Sequence, residues 1–156
     1  MNYRELKAVI TKIIGLRLTH ISFACEMMSL GFEQYSIHAQ CLTRIIKNND
    51  ILVTTLDYQS WDGEHEENND EWYNLDKYRT EIEGGKVLSV EVNPLYDLTI
   101  TLDNGVTIQI LIQNSYAHYD EECEQYRFFE VVDRKTDSHK ALPTHYIVYS
   151  KHIDDK

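Results

Sequence analysis

The segment from Asp97 to Ile112 constrains the fold of this chain more than any other. Leu98, Ile100 and Leu102 alternate with Thr99 and Thr101 on the way in, and Val106, Ile108, Ile110 and Ile112 alternate with Thr107, Gln109 and Leu111 on the way out. A period of two puts each apolar set on one face of a strand. Asn104-Gly105, between the two runs, tolerates the positive φ angles of a type I′ turn, whose twist suits paired strands. With Val87 to Val92 ahead of it and a break at Asn93-Pro94, the expectation is an antiparallel meander of three strands.

The rest of the chain supplies more strands and two helices. Asn2 and Glu5 form a capping box, Leu6, Val9, Ile10, Ile13 and Ile14 make an apolar stripe at helical spacing, and Gly15 ends the helix, which is expected to lie on the sheet. Leu16 to Leu30 reads as a strand, with Gly31 turning the chain into a second one from Tyr35 to Ile46. Asn48, Asn49 and Asp50 mark a turn before a third strand, Ile51 to Leu56. Asp57 to Asp70 buries almost nothing and reads as a solvated acidic loop, and a helix over 71–83 follows, ended by Gly84-Gly85. Ser115 to Gln125 is a second acidic loop, and strands are expected at Tyr126 to Val132 and His145 to Tyr149. The fold class is therefore α+β: a mainly antiparallel sheet of about seven or eight strands with an N-terminal helix and a second helix, in a single domain over 1–156.

Composition narrows the function. At 156 residues the chain is long enough for one core without metal or disulfide staples, and two prolines and six glycines leave little room for a linker. Three cysteines without a CxxC spacing suggest reduced thiols, and two of them sit in apolar runs and read as small core residues. No apolar stretch approaches the roughly 20 residues needed to cross a bilayer, and the N-terminus lacks the plan of a signal peptide, so a cytoplasmic location is expected. The net charge of −11 argues against direct nucleic-acid binding, which draws on lysine and arginine, and favours a basic protein partner.

Motifs for common chemistry are missing. His38 and Cys41 are the one close His/Cys pair, and strand alternation puts them on opposite faces, so no metal site is expected. Asp62 to Tyr73 has acids at the first, third and fifth positions of a calcium loop, yet Glu67 stands where the turn needs glycine and Tyr73 where a bidentate glutamate belongs. No phosphate loop, nucleophile elbow or HExxH is present, and no cofactor is expected. Two surfaces remain. Acidic runs flanked by aromatics form a candidate partner-binding set: Trp61, Asp62, Glu64, Glu66, Glu67, Asp70 and Glu71 in the first loop, Tyr119, Asp120, Glu121 and Glu122 in the second. The alternative is a polar sheet face of His38, Gln40, Arg44, Asp57 and Arg127, for a small molecule or acid–base chemistry.

Several short motifs carry a resemblance. They are Ile37-His38-Ala39-Gln40-Cys41-Leu42-Thr43-Arg44-Ile45, Asp57-Tyr58, Gln125-Tyr126-Arg127-Phe128-Phe129 and His145-Tyr146-Ile147-Val148. Through them the chain resembles, over most of its length, a family of small bacterial proteins, mostly uncharacterised, in which a tryptophan often stands where this chain has Tyr126. In a general way such small acidic proteins are similar to the immunity proteins of toxin systems. The resemblance implies a non-catalytic protein that neutralises a toxin domain through its acidic loops.

Overall fold

The computed structural model describes residues 3–115, 123–131 and 145–149. The chain is α+β, and its described strands form two antiparallel sheets of five rather than a single one of seven or eight. The first sheet has β1 (Leu18–Ala24), β2 (Met27–Phe32), β3 (Tyr35–Ala39), β9 (Glu124–Glu130) and β10 (His145–Tyr149), side by side in that order. The second runs β5 (Asp50–Thr54), β4 (Leu42–Lys47), β8 (Val106–Leu111), β7 (Leu98–Leu102) and β6 (Val87–Val92). Helix α1 (Tyr3–Ile10) continues as a 3-10 turn over Thr11–Ile13, and α2 is Asp70–Ile82.

One continuous apolar cluster joins the inner faces of both sheets. Ile21, Leu30, Ile37 and Phe128 come from the first sheet, and Ile45, Val53, Ile100 and Ile108 from the second. At roughly 1.5–3 kcal/mol for each large aliphatic or aromatic side chain taken fully out of water, this cluster is the main driving force of the fold. Leu6, Ile10 and Ile13 seal it from α1, which packs against β6, while Ile14 turns out to solvent. Leu75 and Ile82 seal it from α2, which lies along β5 and reaches β1.

The stretch expected as one strand from Tyr35 to Ile46 is two, and the break assigns β3 and β4 to different sheets. At the corner the N–H groups of Gln40 and Cys41 both donate to the carbonyl of Gln125, at 2.8 and 3.2 Å. The buried Gln125 side chain also accepts from Gln113 N and donates to Asn114 Oδ1, so one residue fastens the junction. Elsewhere the sheets are tied where β1 meets the approach to β6: Leu18 N donates to Gly85 O, Gly84 N to Leu18 O and Val87 N to Leu16 O, at 2.7–2.9 Å.

The turns differ from expectation in an instructive way. Leu16 to Leu30 is a hairpin around Cys25-Glu26, with Cys25 at φ 52° and exposed, so of the three thiols only Cys41 is a core residue. Gly31 lies inside β2, paired to Ser36 and His20, and the turn falls at Glu33-Gln34. Asn104-Gly105 does not make a type I′ turn. Only Gly105 has positive φ, at 82°, and the loop has three residues, which is the type I turn with a glycine bulge. The true pair of positive φ values is Asn48-Asn49, at 54° and 66°, between Lys47 and Asp50. Asn104 is instead occupied with capping: its amide donates to the carbonyls of Glu81 and Ile82 at the end of α2, at 3.0 and 3.2 Å.

Candidate functional site

The acidic segment after β5 is built rather than loose. Thr54 and Asp57 form a capping box for a 3-10 helix over Thr55–Ser60, and Asp57 also accepts from the Asn74 amide of α2. Tyr58 and Trp61 then stack with ring centres 5.5 Å apart, and the Trp61 indole N–H donates to His65 O at 2.7 Å. Asp62 accepts from Glu64 N, His65 N and the Asn68 amide. Those bonds, the Glu64 N–H foremost and the Asn68 amide next, hold its carboxyl below its ordinary range. Asn69 caps α2 through Trp72 N, at 3.1 Å. Composition alone reads these residues as solvated chain, because short polar side chains bonding to nearby backbone leave no apolar period to detect.

This ordering sorts the acids into roles. Trp61, Glu64, Glu67 and Asp70 are exposed, and so is Tyr73 one turn into α2. Asp62 is spent on holding the loop, and Glu66 accepts from Cys25 N, which ties the loop to the β1–β2 turn. Glu71 does not share the expected surface at all. It is fully buried, neither carboxylate oxygen has a hydrogen-bond partner, and burial, then the charges of Asp57 and Glu26, push its carboxyl up to about 8. Tyr119, Asp120, Glu121 and Glu122 lie outside the described residues.

The alternative polar face does not assemble. His38 on β3 pairs across to Arg127 on β9, and its ring meets Phe129 edge-on at 4.7 Å. Burial first, then the neighbouring Arg127 charge, lower its pKa, which favours the neutral imidazole. Arg127 is held bidentately by Glu124. Arg44 lies in the other sheet, its Nε donating to Gln109 Oε1 at 2.8 Å. Both cations therefore have partners, in separate sheets. No three His, Cys, Asp or Glu side chains among the described residues are placed to hold a metal ion.

Gln40 and Asp57 instead belong near the acidic loop. A cleft of about 470 Å³ opens between the β1–β2 turn and the 3-10 helix, with Cys25, Glu26, Met27, Gln40 and Tyr58 in its walls. A smaller one, about 190 Å³, adjoins it through Glu26 and Gln40 and adds Thr55, Gln59 and Gln113. The Tyr58 phenol is raised by desolvation first, then by Cys25, Glu66, Glu26 and Glu71. Sequence reasoning missed Glu26 and Tyr58. Glu26 sits in what reads as the middle of a strand, and nothing local signals that a turn presents it.

No protein-family model, curated protein or solved structure matches the chain.

Proposed function

We propose that this chain is a non-catalytic, cytoplasmic binding protein that neutralises a basic protein partner, a toxin domain, by covering it with the acidic surface around residues 61–73. The observation that carries this reading is the pre-ordered loop: Glu64, Glu67 and Asp70 stand exposed between two exposed aromatic rings, Trp61 and Tyr73. Acids of one sign steer a cationic partner and speed its encounter, while rigid aromatic anchors slow its release. Order in the free state matters as well, because a loop already held by Asp62, Asn69 and Glu66 loses little entropy on binding. The net charge of −11 fits the same partner and disfavours direct nucleic-acid binding. Among the described residues no helix is long and apolar enough to cross a membrane.

The small-molecule or enzyme reading has less behind it, since His38 and Arg44 occupy different sheets and both arginines are engaged. The test is association with the product of the adjacent gene, where a toxin–immunity pair would be encoded. Fast, salt-sensitive binding is expected, slowed about tenfold or more by combined Glu64→Lys, Glu67→Lys and Asp70→Lys. Binding to that partner at an unchanged rate by the triple variant would show the surface to be wrong.

A further inference from the structure

Asn104-Gly105, the single Asn-Gly pair of the chain, has a chemistry that the partner-binding reading leaves unused. In a flexible segment an asparagine before glycine is open to attack, because a residue without Cβ lets its own backbone nitrogen approach the preceding side chain. The Gly105 nitrogen attacks Asn104 Cγ. An N–Cγ bond forms, the Cγ–Nδ2 bond breaks, and Nδ2 leaves as ammonia with the Gly105 proton. Water then opens the cyclic imide to aspartate or isoaspartate. Nothing is oxidised or reduced, and water is the only co-reactant.

In the folded chain the reacting groups are engaged elsewhere. Asn104 Nδ2 donates to the last two carbonyls of α2, those of Glu81 and Ile82, at 3.0 and 3.2 Å. Its Oδ1 accepts from Val106 N at 3.2 Å, and the Gly105 N–H donates to Leu102 O at 3.3 Å. The carboxamide lies against Gly85, where a Cβ would stand 2.6–2.7 Å from its Oδ1, Cγ and Nδ2. Attack has to turn this amide off α2 and free the Gly105 nitrogen, so it waits on an opening of the helix end. The product then reverses the contact. An ionised carboxylate has no proton to donate to Glu81 O and Ile82 O, and its charge would stand at the negative end of the helix dipole. The same helix end is fastened to β1: Arg79 Nη1 donates to Ile21 O at 2.8 Å, Glu83 Oε1 accepts from Ile21 N at 3.0 Å, and Gly84 N donates to Leu18 O at 2.7 Å. We propose that Asn104-Gly105 is a latent self-modification site, unreactive while the end of α2 is docked, whose conversion to the acid releases that end irreversibly and loosens its hold on β1.

The test follows the full chain in a mildly alkaline buffer, with a synthetic peptide of residues 100–108 as the unshielded reference. Peptide mass mapping counts the acid formed at position 104. Conversion in the folded chain is expected to be at least about tenfold slower than in the peptide, since several hydrogen bonds must open first. Gly85→Ala, which crowds the amide off α2, should bring the rate toward that of the peptide. Asn104→Asp supplies the product directly and keeps the test decisive where Gly85→Ala fails to fold. In it, hydrogen exchange at the amides of residues 18–21 and 79–84 should quicken about tenfold, while the paired amides of β3 and β9 keep their wild-type rates. Equal conversion in folded chain and peptide would overturn the shielding. Wild-type exchange at residues 79–84 in Asn104→Asp would overturn the release.

Discussion

Replacing Glu71 by glutamine should stabilise the protein, and by an amount that grows with pH. An unfolded glutamate titrates near pH 4.3, whereas the folded Glu71 carboxyl is held up to about 8. Between those values the unfolded chain has lost a proton that the folded chain keeps. Stability therefore falls with rising pH, by about 1.4 kcal/mol per unit for one such group. The contribution is complete below the unfolded value and gone once pH passes the folded one. From pH 5 to pH 8 this amounts to about 4 kcal/mol, a large share of the 5–15 kcal/mol typical of a domain. Glutamine has the same shape without the charge, so Glu71→Gln should match wild type within about 1 kcal/mol at pH 5 and exceed it by a few kcal/mol at pH 8. Urea unfolding followed by tryptophan fluorescence at a series of pH values measures both curves, and titrations of the other acids cancel in the difference. Parallel curves would refute the argument, since they would mean that Glu71 is solvated or paired in the folded protein.

Other outcomes follow from the packing. Gly85→Ala would place a Cβ 2.6 Å from Asn104 Oδ1 and dislodge the amide that caps α2, so a loss of roughly 1–3 kcal/mol is expected in denaturant unfolding. Tyr126→Phe removes the hydroxyl that donates to Tyr96 O at 2.6 Å inside the core and should cost about 1 kcal/mol. In a Cys123→Ser background, exposed Cys25 should react with a thiol reagent in the native protein. Buried Cys41, its thiol pushed up to about 12 by desolvation, should react only on unfolding; equal native rates would contradict its burial.

Local chemistry made much of this protein legible. Period-two alternation in 98–102 and 106–111 and period-3.6 spacing in both helices follow from which side chains must leave water, and that information is contiguous in the chain. Turn type was less legible, because Asn104 has a competing task at the end of α2 that the dipeptide cannot reveal. The candidate site was legible only in part: acids and aromatics at 61–70 were visible, but not which were exposed, spent or buried.

By itself, then, the sequence determined an antiparallel α+β protein with an acidic, aromatic-flanked segment between the strand at residues 51–56 and the second helix. Tertiary structure decided that Tyr35 to Ile46 breaks at Gln40, because Gln125 from a distant strand captures two N–H groups there and sends β3 and β4 into separate sheets. That one corner separates His38 from Arg44. It also decided the state of Glu71, since a carboxyl's charge depends on how much water and which charges surround it, and burial first, then the charges of Asp57 and Glu26 from other segments of the chain, act on it. Periodicity records what a residue prefers; only packing fixes what it meets.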